Sequence, residues 1–170
     1  MPVRAVVQIP ERVLKRKAVE MNQARDDDLV ADLIDTMHAS PACVGLAAPQ
    51  IGVARRAIAV DVSGHPKTKT CHGLVVMFDP VIVESSGREV GREGCMSVPD
   101  LTANVSRRKR IVVTGLDAVD GTQRVIATDA FEARAFQHEV DHLDGLLILD
   151  RVSSLATDVF RRRVYQPPPA

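Results

Sequence analysis

The segment Gln137-His138-Glu139-Val140-Asp141-His142 carries two histidines four positions apart. On a helix this spacing puts both imidazoles on one face, one turn from each other, where a single metal ion can reach both. Glu139, beside the first of them, is placed to take a proton from a water that the metal activates. This is the HExxH pattern of metal-dependent amide hydrolysis. It needs a third ligand.

Downstream, Leu143-Asp144-Gly145 follows the metzincin extension as far as its glycine, but Ile148 stands where that pattern requires a third histidine. No glutamate follows His142, which leaves Asp144, Asp150 and Asp158 as the carboxylates on that side. Upstream, Glu93-Gly94-Cys95-Met96-Ser97 reads as a glycine-containing loop ahead of Pro99. A Cys95 thiolate with His138 and His142 makes three protein ligands and keeps one position open, the mark of a catalytic rather than a structural site. The competing reading is a small buried hydrophobe, the ordinary fate of a free cysteine.

A third segment, Cys43-Val44-Gly45-Leu46-Ala47-Ala48-Pro49-Gln50, completes a pattern. With it the chain resembles the peptide deformylase family, whose GxGLAAxQ, EGCLS and QHExDH segments occur in this order. Here they read CVGLAAPQ, EGCMS and QHEVDH. The resemblance spans roughly Val3 to Arg151. It implies a metal centre of Cys95, His138 and His142, Glu139 as proton carrier, and the Gln50 amide and Met96 backbone N–H as donors to a developing oxyanion. It implies an N-formyl-methionyl peptide emerging during translation as substrate, formate as product, and the ribosome as a candidate partner. The methionine side chain would sit in an apolar pocket near Val44, Phe131 and His138. The implied native ion is Fe²⁺; a Cys-His-His set also suits Zn²⁺, Ni²⁺ and Co²⁺. Around Gln50, the small residues Gly45, Ala47 and Ala48 let backbone approach backbone, so a peptide could pair with Val44–Gly45 as an added strand.

Three positions depart from the family pattern. Cys43 replaces the first glycine, and Met96 replaces a leucine at a position whose contributing group is backbone. Thr102 stands where many bacterial members carry an arginine that contacts the peptide, which bears on substrate preference rather than on hydrolysis. Two rival readings share the motifs: an amide hydrolase acting on another N-acyl substrate, and a noncatalytic metal-binding protein. Glu139, which no structural metal site needs, speaks against the second.

The bulk properties agree with an enzyme domain. The chain has 170 residues, enough for one domain that buries about 70% of its unfolded surface. Lys and Arg number 22, Asp and Glu 22, so there is no strong global field for nucleic acid. Aromatics are 3% and Trp is absent, so the core must be aliphatic. Three cysteines, Cys43, Cys71 and Cys95, suit a reducing compartment. No apolar run approaches the ~20 residues of a membrane span. Cytoplasmic residence is expected, without a signal or transit segment, since the family-like sequence starts almost at Met1.

A helix is predicted from an Asp26 cap through Leu29, Val30, Leu33, Ile34 and Met37 to Ser40-Pro41. Strands are predicted over 57–62, within 73–85 with a break at Asp79-Pro80, over 110–116, and over 122–128 after an Asp120-Gly121 turn. The motif helix should run from Asp129 or Ala130 to Leu143, closed by Gly145. Leu146–Leu149 reads as a strand and Ser153–Tyr165 as a helix with a Ser cap. His65 and His72 read as loop residues, Arg107-Arg108-Lys109-Arg110 as a solvated strand edge, and Arg134 as either a surface residue or one at the pocket mouth. The predicted architecture is α+β, with mixed, mostly antiparallel strands around a central metal-binding HExxH helix. One catalytic domain over 1–166 is expected, then a Pro-rich tail, 167–170.

Overall fold

A computed structural model of the chain describes residues 3–23 and 25–163. Its elements are α1 (Asp27–Ala39), β1 (Gly45–Ala47), β2 (Ala57–Val60), β3 (Val75–Ser86), β4 (Glu89–Cys95), β5 (Val98–Arg107), β6 (Arg110–Asp117), β7 (Gln123–Asp129), α2 (Ala130–Leu143) and β8 (Val159–Arg161), with three short 3₁₀ turns. All named strand pairs are antiparallel. The fold is the α+β arrangement expected. The tail at 167–170 and the end of the expected domain lie outside the described residues.

Five strands form one sheet in the order β1-β2-β3-β6-β7, and β4-β5-β8 form a second. In β2 and the first four residues of β3, Val75 to Phe78, every residue is apolar and buried because both faces are covered. Ile58, Val60, Val75 and Met77 pack with Ala133, Phe136, Val140 and Leu143 of α2. The alternate residues Ala57, Ala59, Val76 and Phe78 pack with Leu29, Leu33 and Met37 of α1. Burying Phe136 alone contributes roughly 1.5–3 kcal/mol. Helix α1 starts as predicted, with the Asp26 carboxylate accepting from the Leu29 N–H at 3.1 Å. Helix α2 ends at Leu143, and two residues on, at Gly145, φ is +73° and a Cβ would lie 2.8 Å from the Lys15 backbone. Conformation and space both require glycine there.

Four expectations are corrected. The segment 93–97 is not an isolated loop but the end of β4 and the turn into β5. Leu146–Leu149 is not a strand: the Asp150 carboxylate accepts from the Leu147 N–H at 2.8 Å and folds Ile148–Asp150 into a 3₁₀ turn. The described part of 153–165 is not helical but turns into β8, paired with β5 through Leu101↔Arg161 and Thr102↔Phe160. In the basic run only 108–110 are exposed; Arg107 is buried. The Asp79-Pro80 break is a register shift between Phe78 and Val81 inside a continuous β3.

Candidate metal centre and active site

Helix α2 carries His138 and His142 on one face, and the β4–β5 hairpin brings Cys95 to them. At the hairpin tip the register shifts between Gly94 and Cys95, so that Cys95 pairs with Val98. A bulge of this kind re-aims a side chain, and the Cys95 Sγ comes 3.4 Å from His142 Nε2. One ligand atom from each of Cys95, His138 and His142 lies within 4.8 Å of the others. One ion can bridge donors at that spacing. The alternative carboxylates are used elsewhere: Asp144 pairs with Arg56 and Asp150 with Lys15, while Asp158 accepts from the Ser154 N–H.

A buried charge network orients the first histidine. Arg107 grips Glu93 with two bonds, Nε to Oε2 at 2.9 Å and Nη2 to Oε1 at 3.0 Å. Arg134 Nη1 adds a third at 2.7 Å. Burial pushes the Glu93 carboxyl up, but the hydrogen bonds from His138 and Arg107 outweigh it and hold the group well below the usual carboxylate range. Ionised Glu93 can only accept, so the 2.8 Å contact from His138 Nδ1 is a donated N–H. That leaves His138 Nε2 with its lone pair for a metal. Arg107 also pairs with Asp141, which Arg151 Nη2 holds from the other side at 2.6 Å. The sequence contained Glu93 and Asp141 inside the motifs, but their partner Arg107 was read as solvated.

Glu139 is 4% exposed. Its Oε2 has no hydrogen-bond partner among the described residues, an orphaned buried acceptor beside the Cys95-His138-His142 group that could hold a metal. Burial raises its pKa to about 7, with the charges of His138 and Arg107 opposing. Gly45 must be glycine because a Cβ there would lie 2.5 Å from Glu139 Oε1. Gln50 follows in a 3₁₀ turn: its Oε1 accepts from the Ala47 N–H at 3.0 Å, and its Nε2 faces Ser97 Oγ at 3.2 Å and Cys95 Sγ at 3.6 Å. The Cys43 thiol donates to the Gly45 carbonyl at 3.1 Å, and burial, then the Glu139 charge, push it up to about 12. All three cysteines are free.

These groups open on a cavity of about 320 Å³. Val44, Gly45, Gln50, Met96 and Phe131 all line it, together with Cys95, His138 and Glu139. His142 lies behind them, 1% exposed. Among the described residues strand β1 pairs only with β2, so it is an edge beside the cavity. Arg134 also lines the cavity, the second of its two sequence readings, and so does His65, expected only as a loop residue, whose ring stacks on Phe131 at 4.3 Å. His72 is exposed but bonded, Nδ1 to Glu132 Oε2 at 2.7 Å. Thr102 does not line the cavity; Arg92 and Arg162 do.

An α+β domain with a Cys-His-His group and a buried glutamate beside it defines a metal-dependent amide hydrolase. The comparisons identify which kind. The polypeptide deformylase family model matches residues 3–158. The chain is 38% identical over 165 residues to the peptide deformylase of Thermodesulfovibrio yellowstonii, covering 96% of this chain and 97% of that protein. It is 41% identical over 167 residues to that of Desulforudis audaxviator, covering 96% and 99%. Among solved structures, peptide deformylase from Ehrlichia chaffeensis in complex with actinonin matches with a TM-score of 0.83 at 33% identity, covering 92% of each chain. The chain belongs to the polypeptide deformylase family, metal-dependent hydrolases that remove the N-formyl group from nascent peptides. No helix among the described residues is long and apolar enough to cross a membrane.

Proposed function

We propose that the chain deformylates N-formyl-methionyl peptides with Cys95, His138 and His142 as metal ligands, Glu139 as proton carrier, and Gln50 and Met96 as oxyanion donors. Cys95, His138 and His142 would hold a divalent cation, which would supply Lewis-acid activation of water and of the formyl carbonyl. We assign Fe²⁺ as the native ion on the family resemblance; the donor set also accepts Zn²⁺, Ni²⁺ and Co²⁺.

The residues divide the remaining chemistry. The peptide backbone adds along β1 on the side away from β2, at Val44–Gly45, which sets the formyl carbon beside Glu139. Its methionine side chain lies against Val44 and Phe131. Glu139, buried and with a pKa near neutrality, accepts a proton from the attacking water and returns it to the leaving amine. The Gln50 amide is held by its own carbonyl on the Ala47 N–H, so its N–H is pre-aimed. With the backbone N–H of Met96 it offers donors to the charge that develops on the formyl oxygen, each worth about 3 kcal/mol in the barrier. Formate and a free amino terminus leave. A nascent chain as substrate makes the ribosome the partner and the cytoplasm the place of action.

The observation that carries this reading is Glu139 Oε2, a buried acceptor with no partner among the described residues, beside the metal-ligand group. Glu139→Gln should keep one equivalent of metal and lose formate release from formyl-Met-Ala-Ser by about 100-fold or more. Near-normal turnover of the fully metallated variant rejects the role.

A further inference from the structure

We infer that the mouth of the cleft is a carboxylate clamp, built from Arg162 and Arg92 with Lys67 opposite, that selects peptides bearing a negative charge downstream of the formylated residue. It rests on the peptide course proposed above.

Register puts both arginines on one face of the smaller sheet. Gly94 pairs with Thr102, Thr102 with Phe160, and Arg92 with Asn104. Residues two apart on a strand share a face, so Arg92 lies with Gly94, Asn104 with Thr102, and Arg162 beyond Phe160 on that side. The contacts agree. The Arg92 guanidinium sits 3.6 Å over the Phe160 ring, and its Nε donates to Asn104 Oδ1 at 3.0 Å. Arg162 is anchored by its N–H on the Asp100 carbonyl at 2.9 Å. Its guanidinium reaches across β5 to β4, where a Cβ at Gly94 would lie 2.2 Å from Nη2. Gly94 is the space that this arginine fills.

The charge around the cleft is unbalanced. Among the described residues two carboxylates, Glu93 and Glu139, line it. Glu93 is held by Arg107, Arg134 and His138, and Glu139 is buried. Arg134 is occupied by Glu93 and by the carbonyls of Val105 and Glu89. Lys67, Arg92 and Arg162 line the cleft with no carboxylate partner among the described residues. With the formyl end beside Glu139, the next residues of a peptide leave past them. Guanidinium forks bind carboxylates with two parallel bonds, and these two are already oriented. The chain's net charge of zero makes this a local selection and not a global attraction.

Four peptides test it on metal-loaded enzyme: formyl-Met-Ala-Ser as free acid and as C-terminal amide, and formyl-Met-Asp-Ser against formyl-Met-Asn-Ser, both amidated. The first pair reads a terminal carboxylate and the second an acidic side chain. At least one acid member should have a KM lower by roughly fivefold, the size of a favourable exposed charge pair. High salt should narrow the gap. Arg162→Glu should abolish or reverse it; if that variant misfolds by thermal unfolding, Arg162→Gln should still bring the paired KM values together. Turnover of all four peptides with equal KM overturns the clamp and leaves the hydrolase standing, as does a preference that survives in folded Arg162→Glu or Arg162→Gln. No turnover of any peptide overturns both.

Discussion

The two sheets meet at α2 and are held in opposite ways. Against the five-stranded sheet, Ile58, Val60, Met77 and Val113 pack on Phe136, Val140 and Leu143 without a charge among them. Towards the three-stranded sheet the same helix presents His138 and Asp141 to Glu93 and Arg107, all of these but His138 buried. Apolar packing is non-directional and scales with area. A buried ion network is directional, and each member fixes the orientation of the next. The large sheet therefore holds α2 in place, while the small sheet decides how a ligand on α2 points. Stability and metal binding should respond differently to damage on the two sides.

The largest effect belongs to Arg107→Met. It leaves Glu93 and Asp141 without their shared cation, and breaking a buried pair from one side costs about 3–5 kcal/mol. Arg134, Arg151 and His138 still touch the two carboxylates, so the lower end is expected. Because Glu93 orients His138, metal affinity should also fall, by about 10- to 100-fold. Denaturant unfolding and metal content after dialysis measure the two losses. Unchanged metal affinity would separate the network from the site and remove the contrast.

Ile58→Val is the matching change on the other side. Ile58 is fully buried under α2. Losing one methylene there costs about 0.5–1.5 kcal/mol. Metal content should stay at one equivalent and kcat should not move. Loss of metal here would show that packing, and not only charge, aims the ligands.

What the sequence revealed follows the same division. Strands β2, β6 and β7, both long helices and the gathering of Cys95, His138 and His142 were legible because apolar periodicity, caps and short motifs are local signals. Strand β4, Glu-Val-Gly-Arg-Glu-Gly-Cys, has no apolar alternation; it exists through its pairing with β5 and through charges that β5 and α2 supply. Strand β8 is three residues long and only half-buried, so its helix-like surroundings misled. Arg107 looked like part of a solvated run because its partners lie 14 and 34 residues away. Thr102 drew attention as a missing arginine. Two arginines that line the cleft come instead from 92, two residues before Gly94, and from 162 beyond β8, positions that the register brings together.

The smallest effect tests whether burial, and not charge, distinguishes the small-sheet network. Lys15 and Asp150 form an ion pair whose side chains are 49% and 35% exposed, against 4% and 6% for Arg107 and Glu93. Burial pushes the Asp150 carboxyl up, but Lys15 and the Leu147 N–H outweigh it, so its pKa is lowered on folding. A lowered carboxylate pKa stabilises above the unfolded value, about 3.9, and the contribution is lost as pH falls through the folded value. Asp150→Asn keeps an acceptor for Leu147 and removes only the charge. Its cost at pH 7 should be below about 1 kcal/mol, should fall further in high salt, and should shrink as pH drops under about 4. Thermal midpoints of the two proteins across that range measure it. A loss as large as that of Arg107→Met, or one independent of pH, would mean that exposed charges matter as much to this fold as buried ones, and the two sheets would no longer differ in kind.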